Sequence, residues 1–317
     1  MKKIFILITL TLNIMLAEAQ QDAQFSQYMF NGIYINPAYA GYREQLNLQA
    51  FYRNQWTGIE GSPTTMSIAV DAIANNGNVG LALQVSNDQI GAQRNFSAYG
   101  NYAYRIPLNP DGSSRLALGL GVGALQLSID GSMLKPNDYE INQPLGIQSS
   151  IVPDARVGVY FSNDRFYAGF SADNLISQHI KVDRYAFKPH YYLTAGMLLP
   201  INEYIQLKPS FLLKDDRGGP TSLDVNAFVI IADKVWLGGS YRTGVKLYDK
   251  SYLQNGLSNL NSGVAAAQLF VNSNWRIGYA YDFSIGSLQG YSGGTHEISI
   301  GYFFNNRNIR LMTPRYF

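Results

Sequence analysis

The chain has 317 residues and a formal net charge of +2, and only 15% of it is charged, against about 25% in an ordinary soluble domain. Thirty Gly and 23 Tyr stand beside no Cys at all, which excludes disulfides, thiolate nucleophiles and cysteine metal sites. No Lys/Arg block forms a basic stripe, so nothing points to nucleic acid as a partner.

At the start, Lys2 and Lys3 precede an apolar run from Ile4 to Leu16, and Ala17-Glu18-Ala19 offers the small residues that signal peptidase reads. The run is too short for a membrane-spanning helix, which takes about 20 apolar residues. Residues 1–19 are therefore expected to be a cleaved export signal, with the mature chain beginning at Gln20. Residues 20–45 are rich in Gln and aromatics; Asn36-Pro37 favours extended backbone and Gly41 permits a tight turn. Such a segment needs somewhere to pack. It is expected to fold back as a plug in a lumen or to line the periplasmic mouth, the alternative being a mobile periplasmic tail.

Residues 46–304 break into about fourteen segments of alternating hydrophobicity, each roughly the 9 to 11 residues of a tilted transmembrane strand. Val79, Leu81, Leu83 and Val85 alternate with Gly80, Ala82, Gln84 and Ser86; Val157, Val159 and Phe161 alternate with Arg156, Gly158 and Tyr160. Near the end, Trp275, Ile277, Tyr279, Tyr281 and Phe283 are expected on lipid, with Arg276, Gly278, Ala280 and Asp282 inside. A charge on the lipid face costs about 2–4 kcal/mol at the midplane. Polarity therefore puts Arg53, Asp71, Arg156, Asp224, Arg242, Arg276, Asp282 and Glu297 in the lumen, as ion pairs of a filled interior or as the lining of a selective pore. From Arg115 to Ser128 the alternation fails near Ala124, which predicts a bulge or the emergence of the strand from the bilayer. The Gly119-Leu120-Gly121-Val122-Gly123 run lacks the Lys and the helix of a phosphate loop and reads as strand glycines that make room in a crowded lumen.

Connection lengths alternate too. Asn75-Asn76-Gly77, Asn109-Pro110-Asp111-Gly112, Asn163-Asp164, Ile201-Asn202, Ala232-Asp233 and Ser273-Asn274 read as tight periplasmic turns. Gly131 to Val152, Asp173 to Lys188, Lys246 to Asn261 and Ser284 to Gly293 read as long outer loops. The expectation is an all-β, even-stranded antiparallel transmembrane barrel with both ends in the periplasm. Two soluble β-sandwiches would not produce this loop asymmetry. Tyr102, Tyr104, Tyr191, Tyr192, Tyr302, Phe303 and Phe304 read as interfacial girdles. A fourteen-strand lumen is too wide for wall side chains alone to close, so a plug or inward loops are needed.

Specific motifs add a family. Gln24-Phe25-Ser26-Gln27-Tyr28-Met29-Phe30-Asn31, then Asn36-Pro37-Ala38-Tyr39-Ala40-Gly41, resembles the N-terminal signature of the PorP/SprF family. Arg53-Asn54-Gln55-Trp56-Thr57-Gly58 with Gly61-Ser62-Pro63-Thr64, and Asn87-Asp88-Gln89-Ile90-Gly91, resemble its next stretches. Gln27, Tyr28, Asn31, Asn36, Pro37, Ala38, Gly41, Arg53, Gln55 and Trp56 are taken as the motif and plug residues. The resemblance implies an outer-membrane protein of Bacteroidota in type IX secretion. It also implies a secreted client, in gliding species a large adhesin, exported or held through its C-terminal sorting domain. Other secretion components are implied on the periplasmic side. Glu297 to Phe304 resembles the terminal-strand signal of barrel assembly, which leaves 305–317, with Arg307, Arg310 and Arg315, as a periplasmic tail.

Catalytic chemistry is not legible. His179, His190 and His296 are the only histidines, and none has a Ser, Asp or Glu at a spacing that reads as a nucleophile or metal constellation. No cofactor is expected and the chain is read as a non-enzyme. The long outer loops are the expected client contacts, and the rival reading is a passive diffusion or uptake channel.

Overall fold

The computed structural model describes residues 25–134, 146–182, 187–250, 261–285, 290 and 292–304. Residues 1–24, with the expected signal sequence 1–19, the tail 305–317 and parts of all four expected outer loops, 135–145, 183–186, 251–260 and 286–289 with 291, lie outside the described residues. Three single 3-10 turns (Tyr28–Phe30, Gly32–Tyr34, Pro37–Tyr39) precede fifteen strands. These are β1 (Leu46–Asn54), β2 (Thr64–Ala74), β3 (Val79–Ile90), β4 (Gln93–Pro107), β5 (Arg115–Asp130), β6 (Ile147–Ser162), β7 (Phe166–Asp173), β8 (His190–Met197), β9 (Leu199–Pro200), β10 (Ile205–Asp215), β11 (Thr221–Ile231), β12 (Val235–Val245), β13 (Asn261–Phe270), β14 (Trp275–Ile285) and β15 (Thr295–Phe304).

Neighbours pair antiparallel throughout, and β15 returns to β1 with Leu46 opposite Phe304 and Asn54 opposite His296. Short β9 continues β8 as one crossing. Leu198 interrupts it, donating its N–H to the Arg165 carbonyl at 2.7 Å, while the register against β10 runs on from Ser210 opposite Gly196 to Gln206 opposite Pro200. The sheet is thus a closed antiparallel barrel of fourteen crossings, the fold expected from alternation.

The two faces differ as a bilayer requires. Leu81, Leu83, Leu118, Leu120, Ile277 and Ile300 point outward and are exposed, whereas Gln84, Asn101, Arg156, Arg276 and Ser299 point inward and are buried. The aromatic girdle needs correction. Tyr102, Tyr104 and Phe304 are exposed on the outer face, but Tyr192 and Phe303 are buried inside, because consecutive strand residues point to opposite faces. Phe303 lies under the Arg276 guanidinium at 4.4 Å.

Along the outer end the strands run further than alternation suggests. β3 runs through the motif residues Asn87 to Ile90, and its connection to β4 is a turn at Gly91 and Ala92. The expected loop Gly131 to Val152 shortens because β5 and β6 pair from Arg115 opposite Ser162 to Asp130 opposite Ile147. That ladder is uninterrupted through Ala124, so there is no bulge; Leu125 and Leu127 simply occupy inward positions, and Gln126 an outward one, on a strand rising out of the apolar band.

Candidate functional site

Residues 25–44 occupy the lumen. Phe30, Ile33, Ala40, Gln27 and Asn31 are fully buried, and all but Gly32 and Ile35 of the segment are buried. Its path follows from its caps. The Asn31 side chain accepts from Ile33 N–H and the Asn36 side chain from Ala38 N–H at 2.9 Å, with Pro37 pre-set as the first turn residue. Gly41 has φ +69°, and a Cβ there would sit 2.8 Å from the Gly80 Cα; only glycine accepts both the left-handed backbone and the approach.

Wall glycines let the segment touch the sheet. A Cβ on Gly80 would lie 1.9 Å from the Ala40 carbonyl oxygen, on Gly119 2.1 Å from the Ala38 nitrogen, and on Gly158 2.1 Å from Asn36 Oδ1. Polar side chains then satisfy the backbone of the short turns, whose bonding is incomplete by nature. Arg43 Nη2 donates to the Phe30 carbonyl at 2.7 Å, Arg156 Nη2 to the Ile33 carbonyl at 3.0 Å and Lys208 Nζ to the Met29 carbonyl at 3.4 Å. Asn36 Nδ2 reaches the Val159 carbonyl at 3.0 Å, and Ser171 Oγ donates to the Ile35 carbonyl. Gln27 donates to the Glu297 carbonyl at 3.0 Å and accepts from Ser299 Oγ at 2.8 Å, and Asn226 donates to the Tyr28 hydroxyl at 2.7 Å.

Two ionic groups fix its ends. Glu297 accepts from the N–H groups of Ser26 and Gln27 at 2.7 and 2.9 Å and pairs with Arg53 at 3.1 Å. Arg53 also meets Asp282 at 3.4 Å, and Arg242 links Asp282 to Asp224 at 3.7 and 2.8 Å. At the far end Glu44 pairs with Arg105 at 3.0 Å and Arg115 at 3.4 Å. Arg53 and Glu297 stand near the outer ends of β1 and β15, while Arg105 Nη1 donates to the carbonyl of Gly77 in a short turn. The segment therefore runs from the outer third of the lumen down to the periplasmic end before entering β1. Ser26 thus lies at the long-loop end of the lumen, beside Glu297, and Leu46 at the short-turn end.

Arg43 and Glu44 are the only acidic or basic side chains in the described part of the segment. Rings fill the rest: Phe30 meets Phe228 and Trp236 edge-on at 5.5 and 5.6 Å, and Tyr39 meets Tyr42 and Tyr160 at 4.9 and 5.6 Å. A cavity of about 20 Å³ remains beside Tyr28, Tyr39, Tyr160 and Tyr167, room for a single water.

Of the residues singled out in sequence, Gln27, Tyr28, Asn31, Asn36, Pro37, Ala38 and Gly41 lie in this segment. Arg53, Asp71, Arg156, Asp224, Arg276, Asp282 and Glu297 are buried on the wall, with Arg242 beside them. Asp71 takes a 2.6 Å hydrogen bond from Asn47, and Arg276 donates to Asn47 and Gln49. Gln55 and Trp56 do not join the lumen. They sit in the outer β1–β2 connection, where Gln55 N–H bonds the Pro63 carbonyl and exposed Trp56 bonds Thr295 Oγ1 through its N–H. Arg43, Glu44, Arg105 and Lys208 were not singled out; strand parity alone marks Arg105 and Lys208 as inward. The histidines are scattered: His190 is buried against Asn174, His179 ends an outer turn, and His296 bonds the Tyr279 hydroxyl on the outer face.

Residues 17–302 match the family model described as type IX secretion system membrane protein PorP/SprF. The chain belongs to the PorP/SprF family. A closed barrel with an apolar outer face and this membership place the PorP/SprF chain in the outer membrane. No match was found among curated proteins. Among solved structures, a Pseudomonas aeruginosa FadL homologue is 10% identical over 92% of this chain and 96% of its own, with a TM-score of 0.49. The KdgM porin is 8% identical over 82% and 100%, with a TM-score of 0.39.

Proposed function

We propose that this PorP/SprF chain is a closed, non-enzymatic outer-membrane anchor. It partners or helps export a secreted surface protein through that protein's C-terminal sorting domain, in a gliding organism an adhesin. Residues 20–45 serve as its plug, 1–19 as its cleaved export signal, and its periplasmic face meets other secretion components. One observation carries the reading: residues 25–44 fill the lumen and are bonded to the wall along their length. A passage for solutes is of little use when filled this way, whereas a rigid scaffold presenting outer loops suits binding.

A mild-detergent pull-down from native membranes, with mass spectrometry of co-purifying proteins, tests it. Recovery of a large secreted protein bound through its C-terminal domain supports the anchor. Recovery of the barrel alone, with conductance in planar bilayers, overturns it in favour of a channel.

A further inference from the structure

Strand β6 pairs with β5 over its whole length, from Ile147 to Ser162. On its other side β7 pairs only from Val157 opposite Ala172 to Ser162 opposite Tyr167. Above that, the connection after β7 touches β6 at Asp154 and Ala155: Leu175 N–H donates to the Ala155 carbonyl, and the N–H groups of Ile176 and Ser177 to Asp154 Oδ1. Among the described residues no strand pairs with β6 between Ile147 and Arg156 on this side.

The backbone direction is fixed by those bonds. Gly146 presents its carbonyl to Gly131 at the end of β5, and Ala155 presents its carbonyl to the β7 side. Even positions of β6 therefore bond β5, and odd positions, Ile147, Ser149, Ile151 and Pro153, aim N–H and C=O at the open side. Pro153 has no N–H to offer, the placement that proline takes on an edge. The six residues Ile147-Gln148-Ser149-Ser150-Ile151-Val152 carry no charge, and Ile147 and Ile151 are 73% and 71% exposed on the outer face. An uncharged, exposed edge of this kind is a template for another strand. It also clears the membrane: at about 2.5 Å of height per tilted residue, an apolar band about 25 Å tall starting at Ser162 ends near Val152.

We propose that the outer edge of β6, Ile147 to Ile151, takes an added antiparallel strand from the C-terminal domain of the exported protein, with apolar residues opposite Ile147 and Ile151. This rests on the anchor reading above. A second copy is the wrong occupant. Its β6 would rise in the same direction through the same membrane, and a two-fold axis along the membrane normal would make the tilted strands cross rather than align. A periplasmic chain is on the wrong side. An extracellular chain is free to approach in the antiparallel sense that every junction of this sheet uses.

Ser149→Pro and Ile151→Pro each remove one edge N–H and spare the positions that bond β5; Ile147→Lys with Ile151→Lys keeps the backbone and places charge on the edge. The chain has no Cys, so Ser149→Cys gives a unique thiol for crosslinking. Each variant is checked for heat-modifiable gel mobility and used in the native-membrane pull-down against the secreted protein that the unaltered chain captures. The expected result is a loss of capture of roughly tenfold or more in the folded proline and lysine variants. The Ser149→Cys variant is expected to crosslink through its thiol to an extended segment of the captured C-terminal domain. Undiminished capture by all three folded proline and lysine variants, without that crosslink, overturns the edge and leaves the anchor standing. An unaltered chain that captures nothing overturns the anchor and, with it, this occupant.

Discussion

At Gly119 an added Cβ would meet the Ala38 nitrogen at 2.1 Å, and backbone on both sides has no rotamer to relieve it. Gly119→Val is therefore expected to expel the segment while the barrel still closes through β15 and β1. Its neighbour Leu120 points to lipid, so Leu120→Val is the matched control. Trypsin on reconstituted protein reads the difference at Arg43, buried in the native chain: cleavage in Gly119→Val, protection in the control. Glu297 makes a second prediction. Glu297→Ala leaves two buried N–H groups without their acceptor and Arg53 with Asp282 as its remaining carboxylate beside the Ser26 hydroxyl. A destabilisation of about 2–4 kcal/mol follows, seen as a lower temperature for loss of the heat-modifiable gel form. Both effects come from inward residues that parity marked in the sequence. Parity also explains the failure at Tyr192 and Phe303, where aromaticity was read without asking which face each residue takes.

Single elements were legible to the extent that lipid wrote on them. Inside the apolar band an outward residue is hydrophobic and its neighbour is not, so β3 and β14 could be traced residue by residue. Above the band that contrast ends: Gln126 and Ser128 of β5 and Gln148 and Ser149 of β6 are strand residues of loop-like composition. The 3-10 turns carry no period at all, and two of them, Gly32–Tyr34 and Pro37–Tyr39, are placed instead by asparagine caps. Asn36 is the strongest of these, since it caps Pro37–Tyr39 and also reaches the Val159 carbonyl on β6. Asn36→Ala removes a cap worth about 0.5–2 kcal/mol together with the wall bond. It should raise the rate of hydrogen exchange in residues 37–44 by about tenfold or more and leave that of β14 unchanged. Equal exchange in the variant and the unaltered chain would mean that the turn is held by its rings alone.

For the whole molecule, the ladder and the filling are separable. The strands close on themselves through backbone bonds between β15 and β1, while the segment adds interior packing on a wall that is already polar. Deleting residues 25–41 should therefore leave a folded barrel, with Glu44 still paired to Arg105 and Arg115 at the periplasmic rim. A fourteen-strand barrel emptied in this way is wider than its wall side chains can bridge. The deletion variant is expected to conduct ions in planar bilayers, and the unaltered chain to be silent at the same protein density. The wall left exposed carries both Arg53, Arg156, Arg242 and Arg276 and Asp71, Asp224, Asp282 and Glu297, so the open form should discriminate weakly between cations and anions. Equal conductance in both proteins would show that the segment does not seal the lumen, and the channel reading would then take the place of the anchor.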